Sequence, residues 1–307
     1  MIYFLLLLNT ILLAFDVDTL NFKNLLLQTQ QIGIYSSLIL DDSSICTFGG
    51  DGSINILRKQ TVKKVSDFHR GAILSTIYNP TTKNIITAGW DGKIYSYDFQ
   101  RDNKSTIYNN TNTILKIISL PNNNLIFTNN NKEIIQLQYI NDTLFKLETN
   151  IQIQEYTTDE LYYNHYTKEI YNIINSLFGC EMQIYDNNLE LKKIIYFDNN
   201  FYSAYALNDT IILFGDEYGN LSIFSTIDYQ VKNSINISNN RIVKIIQNNN
   251  ILVILSWDNT VTLYDFEKEK IIKKLYIQKS WISDINKIEN NLYIFTLDGS
   301  IYKTILM

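Results

Sequence analysis

Three acidic pairs, Asp41-Asp42, Asp159-Glu160 and Asp216-Glu217, are the residues best suited to chemistry, since paired carboxylates can act as general acid and base. Adjacent residues on a strand point to opposite faces, so such pairs rarely address one substrate, and loop solvation is their expected role. The stretch NIITAGWDGKIYSYDF, residues 84 to 99, sets Asp91 and Asp98 around a glycine between two apolar runs. His69 and His165 are the only histidines, which excludes a histidine-based metal centre. Cys46 and Cys180 are too far apart for a zinc spacing or a disulfide framework and read as buried free thiols. The chain has no phosphate loop, GxSxG elbow or HExxH helix. No catalytic residue, metal or cofactor is therefore expected.

The elements that carry these residues follow from pattern. With 46% apolar and 19% charged residues in 307, the chain is globular and can bury a large core. Its net charge is −5 and its Lys and Arg are scattered, so the basic stripe of a nucleic-acid binder is missing. Two prolines leave no Pro-rich linker. The NNN runs at 122–124, 129–131 and 248–250 are loop filling between apolar segments.

A repeat organises the chain. Turn residues between apolar strands recur in FGGDGSINIL, AGWDGKIYSY, TNNNKEIIQL, FGCEMQIY, FGDEYGNLSIF, LSWDNTVTLYD and FTLDGSIYKTI. Their positions, 51, 91, 131, 181, 217, 258 and 298, predict a fourth unit longer than the rest and a fifth correspondingly shorter. Each unit reads as four short strands, without helical periodicity. Seven such units predict an all-β, seven-bladed β-propeller of four-stranded antiparallel blades. Asp91-Gly92 then becomes a hairpin turn, with glycine supplying the positive φ.

At these residues the chain resembles the WD-repeat family. There a histidine before the first strand, a Ser/Thr in the second, the turn Asp and an aromatic in the third form a hydrogen-bonded tetrad. The resemblance assigns His69, Thr87, Asp91 and Tyr97 to that structural tetrad, with Tyr97-Asp98 in place of Trp-Asp and Tyr264-Asp265 repeating it. It covers nearly the whole chain, with the second repeat the most complete and the third and fourth degenerate. It also implies that an N-terminal strand completes the last blade, and register against TVKKVSDF (61–68) places that strand at NFKNLLLQ, residues 21–28. A sheet edge otherwise left open gives the closure its physical reason. Residues 17–307 thus form a single propeller.

MIYFLLLLNTILLAFD, residues 1–16, stands outside this count and is too short for a membrane span. Its length and Ala14 fit a signal peptide, but no Lys or Arg precedes it. An extra strand or short helix packed on the propeller, or a gene-model extension, is the alternative. Sequons at Asn103, Asn109, Asn141, Asn208, Asn220 and Asn236 are what an asparagine-rich chain acquires by chance. The expected location is cytoplasmic or nuclear, with the secretory pathway, through residues 1–16, as the alternative; contact with a membrane would run through those residues alone.

The resemblance places the residue before each turn Asp on a rim that family members use for partners. Here these are Trp90 and Trp257; Trp281 opens the first strand of the last repeat near the same rim, and Arg70 offers a polar contact. Exposed aromatics are favoured interface anchors; packing over a neighbouring blade is the competing role for each tryptophan, and solvation for Arg70. DELYYNHY, residues 159–166, is either a protruding binding loop or the aromatic filling of an irregular blade. The mitotic-checkpoint and mRNA-export propellers hold a peptide with tryptophans in Ser-Trp-Asp turns, and HRGAILSTIYNP resembles that subgroup, although Gly50 replaces the first-repeat tryptophan. The reading is a non-catalytic scaffold presenting a rim to a peptide or protein partner. Two others stand beside it: a secreted propeller that binds carbohydrate or acts as a sensor, and a hydrolase whose carboxylates converge on the channel.

Overall fold

The computed structural model describes residues 17–20, 25–29, 33–58, 61–141, 144–153, 156–277 and 280–306. Among these residues there are 29 strands in seven sheets and no helix. Each sheet takes its antiparallel strands in chain order, apart from an N-terminal strand added at the outer edge of the sixth and seventh sheets. Blades one to five run from Ile34 to Val65, Ile73 to Asn109, Ile114 to Gln152, Glu160 to Phe197 and Phe201 to Asn236; blade six spans Ile242 to Ile277 and blade seven Ile282 to Ile305. The first strand of each blade touches the first strand of the next, and that of blade seven touches that of blade one, so the sheets close a ring.

Side-chain patterning explains the packing. Second strands such as Ile45–Gly49 and Asn84–Gly89 are buried throughout, because both faces of a blade are covered by its neighbours. Outermost strands such as Thr61–Val65 and Gln230–Asn236 are polar and exposed, and their lysines protect the free edge. The apolar core is divided into seven clusters, one at each interface between adjacent blades. Cys46 and Cys180 are buried free thiols within two of them.

Leu25–Gln28 pairs antiparallel with Ser300–Ile305 and completes blade seven, as expected from the strand at 21–28. Residues 21–24 and 1–16 lie outside the described residues. Leu27 packs into the cluster between blades seven and one, so the seam is apolar as well as hydrogen-bonded. One strand was not foreseen. Val17–Leu20 runs parallel to the outer strand of blade six, Lys270–Ile277, and covers its edge.

Cross-blade bonds between innermost strands complete a belt around the axis. Ser36 meets Thr76 at 2.8 Å, Ser75 Oγ accepts the Ile117 N–H, and Lys116 pairs with Glu160 at 2.7 Å. Further round, the Ala206 N–H donates to Tyr162 Oη, Tyr205 to Gln247, Lys244 to Asp284, and Asp284 accepts the Ser37 N–H. Every blade is thereby tied to the next by a polar side chain. Tyr162 and Tyr163 of DELYYNHY belong to this inner ring, since Glu160–Asn164 is the innermost strand of blade four and not a protruding loop, while Tyr166 is exposed in the turn that follows.

The repeat is more regular than its sequence shows. The second residue of each turn between second and third strands stands at Asp51, Asp91, Asn131, Phe178, Tyr218, Asp258 and Asp298, every forty residues except for a step of 47 into blade four. Glu181 is not a turn residue but lies in the third strand of blade four, and Glu217 is the first residue of its turn. The mismatch arose because blades four and five place an apolar or aromatic residue where the others carry Asp or Asn.

Candidate functional site

These turns and the loops entering each innermost strand share one rim. In six blades the first turn residue donates its N–H to the carbonyl of the residue before the innermost strand: Gly50 to Gly33, Trp90 to Ala72, Asn130 to Thr113, Glu217 to Asn200, Trp257 to Arg241 and Leu297 to Trp281. In the same six blades the innermost strand carries a bulge at its rim end, for example between Ile73 and Ser75. A bulge re-aims the chain and ends regular pairing, which turns backbone toward the rim. Blade four lacks the bulge; there Asp159 accepts the Asn175 N–H.

Blade two shows how a rim turn is anchored. His69 bonds Asp91 Oδ1 and Thr87 Oγ1, both at 2.8 Å. Burial pushes the His69 pKa down, against the pull of Asp91, so the ring is neutral with one N–H. The carboxylate only accepts, so Nδ1 donates to Asp91 and Nε2 accepts from the Thr87 hydroxyl. Asp91 also accepts the N–H groups of Arg70 at 3.0 Å and Lys93 at 3.2 Å. Burial opposes its charge, yet these bonds hold its pKa down to about 2. Gly92, at φ +70°, lets the turn pass the next loop: a Cβ there would lie 2.3 Å from the Asn110 carbonyl oxygen.

Tyr97 does not join this set. Its hydroxyl donates to Asp102 at 2.5 Å and accepts from Lys63 at 3.2 Å, linking blades one and two. The register explains the difference, for Thr87 lies opposite Tyr95 and Tyr97 lies opposite Ile85. Tyr95 instead packs edge-on against His69, with centroids 4.7 Å apart, and Lys104 sits over the Tyr95 ring. The acidic pairs also depart from loop solvation. Asp216 is buried and accepts from the backbones of Tyr218 and Asn220, and Glu160 is held by Lys116. Burial works against the Lys116 ammonium, but Glu160, with Asp159 and Asp284 beyond it, raises its pKa. Only Asp41-Asp42 is an exposed loop pair, bonded to Tyr78, Ser44 and Arg58.

The tryptophans stand out from this scaffold: Trp90 is 62% exposed, Trp281 59% and Trp257 46%. Arg70 is exposed beside the His69 anchor. Blades six and two are separated only by seven and one, with Trp281 in between. Arg241, which sequence reasoning missed, stacks 4.2 Å from the Trp257 ring and 3.5 Å from that of Tyr202. Nothing in its local sequence signals this, because Tyr202 arrives from the neighbouring blade. Leu177 and Phe178, 95% and 88% exposed, form the blade-four turn, which sequence reasoning missed because the polar turn signal nearby is Glu181. Counting forty-residue steps back from Asp258 through Tyr218 finds them.

No protein-family model matches the chain, and no curated protein matches it. Solved structures do. The crystal structure of the WD40 β-propeller domain of Doa1 superposes with a TM-score of 0.74, covering 91% of this chain and 94% of that one at 12% identity. The fold is that of a WD40 propeller. A computationally designed protein, Ika8, matches with a TM-score of 0.67 at 13% identity, over 92% of this chain and all of that one.

The two rims of the propeller differ in chemistry. Among the described turns and loops, large apolar side chains are exposed at eight positions on one rim: Trp90, Leu177, Phe178, Tyr218, Trp257 and Leu297 in turns, and Tyr156 and Trp281 in loops. The other rim exposes Tyr166 and Ile227. Its remaining turns are built largely from Asn, Asp, Lys and Glu.

Proposed function

We propose that the propeller is a non-catalytic interaction scaffold that receives a peptide or protein partner on the rim bearing Trp90, Trp257 and Trp281. The contrast of eight exposed apolar positions with two carries this reading. Exposed patches of that kind are costly in water and are recovered by burial in an interface, where Trp and Tyr are the commonest anchors. The rim is also rigid where the tryptophans stand, since hydrogen bonds between turn and loop hold Trp90, Trp257 and Trp281 before a partner arrives. Arg70 lies next to the His69 anchor and supplies a polar contact at the edge of the patch. Support for a non-catalytic role comes from the carboxylates, which serve as lysine partners on the inner strands and as turn caps elsewhere.

The test is capture of partners from the native cell by wild-type protein and by Trp90→Ala, Trp257→Ala and Trp281→Ala variants, identified by mass spectrometry. Loss of a common set of proteins in the variants, with unchanged melting temperature, supports the reading. Identical capture by all four proteins refutes it.

A further inference from the structure

A cavity of about 810 Å³ opens between blades three and four, away from the tryptophans. It lies where the forty-residue period breaks and where blade four lacks the rim bulge. Ile151 and Ile153 from blade three form one wall, and Ile194 and Tyr196 from blade four form the other. Phe178 stands at the mouth, next to the almost fully exposed Leu177. Among the described residues, the charged side chains lining the cavity are Glu181 and Asp198, and no cation lines it. Its length follows the seven-residue strand Leu191–Phe197, about 23 Å at 3.3 Å per residue, room for six or seven extended residues.

We propose that this cleft is a second binding site, which takes an extended peptide segment of a partner protein carrying two apolar side chains and a lysine or arginine. The apolar walls and the exposed Leu177-Phe178 tip bury the two apolar side chains. The cation meets Glu181 and Asp198, the carboxylates with no cation of the cavity beside them. An acidic segment would place like charges together. Cys180 on the wall takes no part, since burial pushes its thiol up to about 12 and keeps it protonated. The site contains none of the tryptophans, but Tyr156 and Phe178 also count among the exposed rim positions, so the tryptophan variants are what separate its failure from that of the scaffold reading.

The experiment pans a random-peptide phage library on the intact protein, then measures the selected peptides, synthesised with a fluorescein label, by anisotropy. Expected are sequences with two apolar residues and a Lys or Arg, whose affinity falls about tenfold or more in Phe178→Ser and Tyr196→Ser. Both side chains are exposed, so the fold is retained, and melting curves verify it. Glu181→Lys should weaken the basic peptides and favour their Lys→Glu counterparts, while Trp90→Ala and Trp257→Ala leave affinity unchanged. The proposal is overturned if panning enriches nothing, if the selected peptides are acidic, or if the cleft variants bind as wild type. Peptides lost in the tryptophan variants alone would place them on the rim and likewise overturn it.

Discussion

Asp91 and Asp258 occupy the same turn position in blades two and six, and their alanine variants separate a buried anchor from a local turn cap. Asp91→Ala strips the acceptor from His69, whose side chain is fully buried. A buried donor left unpaired costs about 1–3 kcal/mol, and the exposed Arg70 and half-buried Lys93 N–H groups, which water can reach, add about 0.5 kcal/mol each. Asp91→Ala should therefore lower stability by about 2–4 kcal/mol. Asp258 accepts from the Thr260 N–H at 3.1 Å, the Thr260 hydroxyl at 2.5 Å and the Asn239 N–H at 3.3 Å, all of them near the surface. Its alanine variant should cost about 0.5–1.5 kcal/mol, as an exposed cap does. Asp91→Asn keeps an oxygen for the His69 N–H and should fall between them. Equilibrium urea unfolding followed by far-UV circular dichroism reads each value, with the slope checked for two-state behaviour. Equal losses for Asp91→Ala and Asp258→Ala would refute the claim that the buried histidine makes the first turn an anchor.

Acid should weaken the fold in two stages. The folded His69 pKa lies below the unfolded value near 6.5, so stability is lost as pH falls beneath that value while the unfolded state alone takes up the proton. Asp91, held at about 2, contributes fully above its unfolded value near 3.8 and loses that contribution as pH falls toward 2. His69→Gln should flatten the first stage in a series of urea midpoints against pH, and an unchanged slope would contradict it. Gly92→Ala forces a Cβ against the Asn110 carbonyl at a positive φ, so a loss of about 2 kcal/mol or more is expected by thermal unfolding, where an exposed helix glycine would gain. Leu27→Asp puts a carboxylate into the closing seam between blades seven and one and should cost about 2–4 kcal/mol in the same assay; a loss under 0.5 kcal/mol would show that the N-terminal strand does not hold the ring.

Legibility in the sequence followed the physics of each element. Strand period and turn residues are local, so the all-β fold and the seven units could be read from FGGDGSINIL, AGWDGKIYSY and their counterparts, whereas the closing strand was implied by the resemblance to WD-repeat propellers. Asparagine runs carry a local signal too: Asn123 and Asn249 hold φ values of 64° and 53°, in the left-handed region that asparagine tolerates. Blade four was misread by three residues and blade five by one, because Leu177-Phe178 and Tyr218 place apolar or aromatic side chains in turns. Apolar residues are written as core by any pattern rule, and only their exposure in the folded chain reveals them as surface.

By itself the sequence determined that seven units of short alternating strands with polar turns must stack their apolar faces, and the resemblance to WD-repeat propellers added the N-terminal strand that closes the last one. Tertiary structure alone decided which side chains meet across blades. The strand register turned Tyr97 away from Thr87 and toward Lys63 of blade one, the packing of blade five against blade six set Tyr202 beside Arg241, and the longer fourth unit opened the cleft beneath Phe178. Such contacts join residues some forty positions apart, and their geometry depends on how neighbouring sheets twist and pack, which no local pattern records.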